Sequence, residues 1–137
     1  MSGRTDWIEL LVSSTGRIGR TPFLIVSGAL IGLTALYESV AGGTLHVLTG
    51  WLFYPLVFFC GACILSKRLH DRGRSGWWAA PILAAVLAVW PQPVGFFDFL
   101  FGLVLVWAVI ELAAMPSEEG TNRFGPNPQN PAKVTPL

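Results

Sequence analysis

Four apolar segments, separated by short polar connections, constrain this chain more than any other feature. They cover about residues 22–41, 46–65, 77–91 and 94–115. Only 12% of the residues are charged, about half the share of a typical soluble domain. A helix of about 20 apolar residues is long enough to cross a bilayer core of roughly 30 Å. The sequence therefore predicts an all-α fold, a polytopic membrane bundle of four transmembrane helices spanning residues 22–115.

The third apolar segment leaves two topologies open. Residues 77–90 would extend only about 21 Å as a helix, and Pro81 lies within them. The segment either spans the membrane with the help of its flanks or enters and leaves on the same side. Trp77 and Trp78 stand at its start, a position typical of the aromatic belt, so we predict that they anchor the helix at the interface.

Polar segments flank the membrane domain on both sides. Residues 1–21 form an N-terminal arm, in which residues 5–12 (TDWIELLV) have one apolar face. We predict a short amphipathic helix lying in the membrane interface; a turn packed on the bundle is the alternative. Residues 116–137 are rich in Pro, Asn and Gly. This composition predicts a tail without regular structure except where it docks.

The basic residues are distributed asymmetrically. In a four-span layout all nine lie in the arm, in the connection 66–76 or in the tail, and the other two connections contain none. Because cytoplasmic segments carry the excess of Lys and Arg, both termini and residues 66–76 are predicted to be cytoplasmic. The nine residues are Arg4, Arg17, Arg20, Lys67, Arg68, Arg72, Arg74, Arg123 and Lys133.

Three motifs resemble a known family in their order and spacing. GRIGRTPF at 16–23, SKRLHDRGRSGWW at 66–78 and GTNRFGPNP at 120–128 are similar to motifs of the DUF805 family of small bacterial inner-membrane proteins. The central motif is the most specific of the three, and the resemblance extends over essentially the whole chain. It implies a multi-pass protein of the bacterial inner (plasma) membrane. It implies no activity, because the function of the family is uncharacterised.

The central motif contains more than a topological anchor requires. Positive charge alone attracts anionic lipids, at roughly 1 kcal/mol per basic residue. His70, Asp71 and the glycines of residues 66–76 add hydrogen-bonding groups and backbone freedom, which favours a site for a phosphate or lipid head group. The alternative is a structural role in which Asp71 pairs with an arginine. The candidate ligand-binding residues, on all three segments of that side, are Arg17, Arg20, Lys67, Arg68, His70, Asp71, Arg72, Arg74 and Arg123.

The tail is expected to fold back onto this motif. Its NRF sequence, Asn122 to Phe124, lies on the same predicted side of the membrane as residues 66–76, and Gly125-Pro126 can turn the chain. We therefore predict that Asn122, Arg123 and Phe124 pack against the central segment. A disordered tail is the alternative.

Glu111 is the most informative carboxylate in the membrane domain. It lies one turn inside the predicted end of the last span, where a charge is costly and usually faces protein or water. A structural ion pair with Arg17, Arg20, Lys67 or Arg68 is one interpretation. A carboxylate that handles protons or ions, or one that reaches the interface, are the others.

Small residues punctuate the predicted spans. Gly28 and Gly32 form a G-x-x-x-G pattern, which predicts close helix packing within the chain or between two chains. Cys60 and Cys63 lie in an apolar segment without a second cysteine pair. We interpret them as small packing residues and predict neither a metal site nor a cofactor.

The leading functional hypothesis is a non-enzymatic membrane adaptor or accessory subunit. Its cytoplasmic Arg/His/Asp-rich face would bind anionic lipid head groups or a membrane-protein partner, and a homo-oligomer is possible. One alternative is a small oligomeric transporter or channel with Glu111 and arginines at its mouth. Another is a membrane enzyme that acts on a phosphate-bearing lipid. No nucleic-acid partner is expected, and no phosphate loop, dinucleotide fingerprint, zinc cluster or nucleophile elbow occurs.

Overall fold

The computed structural model describes residues 6–90 and 92–130, and this part of the chain is helical without a named strand. A short 3₁₀ turn, Gly76–Trp78, precedes the fourth helix, and a π-helical segment, Ile110–Ala114, extends the fifth. The five α-helices are α1 (Trp7–Val12), α2 (Arg20–Val40), α3 (Gly43–Asp71), α4 (Ala79–Val89) and α5 (Phe96–Val109).

Three helices are long and apolar enough to cross a membrane. They are α2, α3 and α5 with its π-helical extension. Most of their large apolar side chains point away from the protein, as expected where lipid replaces water. The prediction of an all-α membrane protein is therefore confirmed. The apolar helix over Gly76–Val89 is shorter, so the fourth crossing stays a prediction.

Two helix starts follow directly from local sequence. The Asp6 carboxylate accepts hydrogen bonds from the backbone N–H groups of Ile8 and Glu9, which caps α1. At α5, the Asp98 carboxylate accepts from the N–H groups of Val94 and Gly95 at 2.9 and 3.0 Å. These acceptors satisfy donors that a helix start leaves without intrahelical partners.

Helix α3 is longer than predicted. It ends at Asp71, six residues beyond the predicted end of the second span at residue 65. The prediction that residues 66–76 form a loop is wrong for residues 66–71. The helix continues because Lys67, Arg68 and Asp71 are buried and find protein partners there, so their charges do not terminate it.

The buried core lies at one end of the molecule. Ile64 and Leu69 of α3 pack there with Leu112 of the π-helical segment, and all three are at most 2% exposed. Leu10 brings α1 into the same cluster, and Ile18 brings in the arm. Helix α4 packs along α5 and α3, and α2 packs on α3. The chain is thus most tightly packed where its polar motifs meet.

Candidate functional site

The central motif is organised around the buried guanidinium of Arg68. This side chain is fully buried and pairs with the Asp71 carboxylate one turn later. Its Nε donates to the Leu112 carbonyl at 2.8 Å, and one terminal nitrogen donates to the Met115 carbonyl at 2.6 Å. Carbonyls at a helix C-terminus lack intrahelical donors. Arg68 supplies those donors and thereby holds the end of the last helix against α3.

Arg17, from the N-terminal arm, binds the same Asp71 carboxylate as Arg68. Its Nε lies 3.0 Å from the second carboxylate oxygen of Asp71, and both side chains are at most 1% exposed. Its terminal nitrogens donate to the carbonyls of Glu118, Gly120 and Gly125 at 2.7, 2.9 and 3.2 Å. Arg17, Arg68 and Asp71 are called the arginine clamp below. The clamp joins the arm, α3 and the tail.

Two further basic residues hold neighbouring elements. The Lys67 ammonium donates to the Glu9 carbonyl at 2.8 Å, which fixes α1 against α3. A terminal nitrogen of Arg20 lies 3.3 Å from the Ala114 carbonyl. Among the described residues, every buried side-chain nitrogen or oxygen has a hydrogen-bond partner. The network is therefore internally satisfied, as a buried polar network must be to stabilise a fold.

This burial changes the interpretation of four candidate ligand-binding residues. Arg17, Lys67, Arg68 and Asp71 were predicted to face a head group, but their side chains are buried and bonded to protein acceptors. A ligand could reach them only by breaking these bonds. We correct their role to a structural one. The alternative in which Asp71 pairs with an arginine is the arrangement that the structure has.

Glu111 forms an ion pair, but with different partners from those predicted. Its Oε1 lies 3.2 Å from Arg72 Nε and 3.1 Å from Arg74 Nε, and its side chain is 12% exposed. The extension of α3 to Asp71 brings the following residues beside the end of α5, whereas Arg17 and Arg68 are occupied by Asp71. The contacts favour the structural ion pair over a free proton-handling carboxylate.

The tail docks as predicted through two of its three residues. The Asn122 side-chain amide donates to the His70 carbonyl at 2.9 Å, and the Phe124 ring stacks on the His70 ring with centroids 3.8 Å apart. Arg123 instead faces outward, with its guanidinium 4.6 Å above the Phe124 ring. Gly125 has a φ of +128° and forms the tight turn in which its backbone pairs with that of Asn122.

All basic residues of the described part lie at this end, which we call the polar cap (residues 13–20, 66–76 and 115–130). Three of them remain exposed: Arg20, Arg74 and Arg123. We call these three the basic rim. The Arg74 guanidinium also lies 5.5 Å above the Trp107 ring, which keeps one edge of the rim close to the membrane domain.

Sequence reasoning missed a polar cluster at the opposite end. The Tyr54 hydroxyl donates to the Glu38 carboxylate, and His46 Nε2 lies 2.7 Å from the same hydroxyl. His46 and Tyr54 are eight residues apart, close to two helical turns, so their shared face was visible in the sequence. Their contact with α2 was not. The cluster ties the ends of α2 and α3 together.

The small residues and tryptophans have separate outcomes. Gly28 and Gly32 are exposed, and a Cβ at either would meet no atom within 4 Å. The prediction that Gly28 and Gly32 pack against another helix of the same chain is therefore wrong. Packing of the pair between two chains stays a prediction. Trp77 and Trp78 are exposed, and their anchoring role also stays a prediction.

Within the described ranges, no three His, Cys, Asp or Glu residues are arranged to hold a metal ion.

Comparison with known proteins identifies the chain's relatives. The family described as "Protein of unknown function (DUF805)" matches residues 11–126. The uncharacterized protein YiiR of Escherichia coli K12 is 33% identical over 133 residues, which cover 89% of this chain and 90% of the relative. YiiR of Escherichia coli O157:H7 matches to the same extent. No solved structure matches significantly. The matched segment contains the buried arginine clamp and most of its tail contacts, and the chain belongs to the DUF805 family.

Proposed function

We propose that this protein is a non-enzymatic membrane adaptor of the bacterial inner membrane whose basic rim binds anionic lipid head groups. The observation that carries this proposal is the division of the cations at the polar cap. The clamp arginines are buried and satisfied, whereas Arg20, Arg74 and Arg123 remain exposed around the same end. The buried cations hold the cap together. Arg20 and Arg74 also contact the protein, through the Ala114 carbonyl and Glu111, but all three rim residues are exposed and can present further N–H donors to a ligand.

The binding free energy expected from the three rim residues is large enough for lipid association. Each basic residue near an anionic surface contributes roughly 1 kcal/mol. Three such residues contribute about 3 kcal/mol, or roughly a hundredfold in affinity. The clamp fixes the arm, α3 and the tail relative to one another, so the backbone that carries the three rim residues needs no further ordering on binding.

We also propose that the chain crosses the membrane four times with both termini in the cytoplasm. The clustering of the basic residues at one end supports this topology through the positive-inside rule. A maleimide reagent that does not cross the membrane tests it, after Cys60 and Cys63 are replaced by Ala. Gln92→Cys in the connection between α4 and α5 should react from the periplasm, and Ser75→Cys should not. Labelling of Gln92→Cys only in opened cells would contradict the fourth crossing.

The transporter and enzyme hypotheses receive less support from the contacts. Glu111 is engaged by two arginines, so it is not available as an ion-binding group at a mouth. The Ser75 hydroxyl accepts from the Trp77 backbone N–H at 3.4 Å, and no hydrogen bond in the described residues joins it to His70 as a base. We therefore place the function in binding.

Native mass spectrometry with defined lipids tests the adaptor proposal. The triple variant Arg20→Ala, Arg74→Ala, Arg123→Ala should retain about a hundredfold less phosphatidylglycerol than the wild type. The matched triple Lys variant keeps the charges and should retain the lipid. If the Ala variant folds and still binds phosphatidylglycerol as the wild type does, the rim is not the binding surface.

A further inference from the structure

A groove runs from the polar cap down the side of the membrane domain. It lies between α3 and the start of α4, is open to the surface and has a volume of about 540 Å³, within the range of small-molecule sites. His70, Ser66 and Ser75 line its polar end, and Ala62, Ala80 and Leu83 line its apolar end. None of these groups belongs to the basic rim or to the arginine clamp.

The lining of the groove changes from polar to apolar along its length. His70, Ser66 and Ala62 are spaced four residues apart and lie on one face of α3. Over about 12 Å of helix the lining therefore changes from imidazole to hydroxyl to methyl. A ligand that fits this gradient has a hydrogen-bonding head at the cap and a hydrocarbon chain toward the membrane interior.

The polar end offers acceptors rather than cations. His70 Nδ1 lies 3.1 Å from the Gly16 carbonyl, which can only accept, so Nδ1 carries the proton. In the neutral ring Nε2 is then an acceptor. Nε2 and Ser66 Oγ both lie beside Gly76, at 3.0 and 3.1 Å from the place where a Cβ would stand. Because Gly76 has no side chain, its backbone packs close to both atoms, and the Ser66 hydroxyl donates to the Gly76 carbonyl at 3.4 Å, so its oxygen can still accept from a ligand.

We propose that this groove binds one phospholipid with a primary ammonium head group, of the phosphatidylethanolamine type. The ammonium would donate to His70 Nε2 and to the hydroxyls of Ser66 and Ser75. The Trp77 indole at the groove's mouth adds a face that attracts cations. No Lys, Arg, Asp or Glu is among the groove-lining residues. The unprotonated Nε2 can accept from an ammonium N–H but cannot donate to a phosphate oxygen.

The test compares two zwitterionic lipids, one with a primary and one with a quaternary ammonium head group. Phosphatidylcholine keeps the positive charge but cannot donate a hydrogen bond, so the wild type should retain phosphatidylethanolamine about tenfold better in native mass spectrometry. His70→Asn keeps a donor for the Gly16 carbonyl and removes Nε2, so it should abolish this preference. Gly76→Ala places a methyl group 3.0 Å from Nε2 and should do the same.

The outcomes separate this proposal from the basic rim. The rim triple Ala variant should lose phosphatidylglycerol and keep the preference for phosphatidylethanolamine. Equal retention of the ethanolamine and choline lipids by the wild type would overturn the groove proposal, whatever the rim binds. So would an unchanged preference in both His70→Asn and Gly76→Ala. Failure of the rim proposal alone would appear as unchanged phosphatidylglycerol binding in the rim variant.

Discussion

Replacing Asp71 by Asn removes one negative charge from the arginine clamp and little volume. The carboxylate lies between Arg17 and Arg68, and all three side chains are at most 1% exposed. An amide has one oxygen to accept from one guanidinium, and it turns its N–H₂ group toward the other. The variant therefore leaves two buried cations without an anion and sets two donors against each other.

The magnitude follows from the burial of the two pairs. Removing one partner of a buried ion pair costs about 3–5 kcal/mol, because the remaining charge stays desolvated. Asp71 serves two arginines, so we expect the upper half of this range for Asp71→Asn. This loss corresponds to roughly a thousandfold change in the unfolding equilibrium. A fold-stabilising role for the central motif requires a cost of this size.

Reversible unfolding in mixed micelles measures the loss. Tryptophan fluorescence reports on the packing beside the cap, because the Trp78 and Trp107 rings lie 5.7 Å apart where α4 meets α5. Glu119→Gln removes an exposed carboxylate from the same tail and should change the free energy of unfolding by less than about 0.5 kcal/mol.

A double variant sharpens the test. Arg17→Gln combined with Asp71→Asn removes one cation together with the anion, so the two losses should not add. We expect a coupling free energy of about 1–3 kcal/mol. A free energy of unfolding for Asp71→Asn within about 0.5 kcal/mol of the wild type would refute the clamp, as would additive losses in the double variant.

Three further substitutions probe the cap with the same unfolding assay. Arg68→Lys should cost about 1–3 kcal/mol, since an ammonium cannot serve Leu112 and Met115 carbonyls together; equal stability would contradict this. Glu111→Gln should cost about 1 kcal/mol, because its partners are partly exposed; a loss above about 3 kcal/mol would mean a more deeply buried pair. Gly73→Ala should cost more than about 1 kcal/mol, since φ is +68° and a Cβ would lie 2.6 Å from a Glu118 oxygen, whereas Gly102→Ala, inside α5 with open space around an added Cβ, should not destabilise.

The polar cap shows how far side-chain type alone can assign a role. Arg68 and Arg74 lie six residues apart in one motif and look equivalent as cations. In the structure Arg68 is fully buried, whereas the Arg74 side chain is 42% exposed. The difference arises because Arg68 points from α3 toward the end of the last helix, 44 residues later in the chain. Backbone carbonyls are the same for every residue type, so no sequence pattern marks them as partners.

The groove was missed for the same reason. The sequence marked Gly76 only for its backbone freedom and gave Ser66 no role, and residues 66–76 were predicted as a loop. Their approach depends on the continuation of α3 to Asp71 and on the 3₁₀ turn that starts at Gly76. Only these two elements together place His70 Nε2 and Ser66 Oγ beside a position without a side chain.

The sequence by itself determined the helical membrane domain and the end of the molecule at which the polar motifs meet. Both follow from local properties: apolar content adds along a segment, and basic residues favour one side of a membrane. The tertiary structure decided which arginines became buried supports, which partners Glu111 took and where a groove opened. These outcomes depend on contacts between residues far apart in the chain, and their free energies exist only once the helices and the tail are assembled.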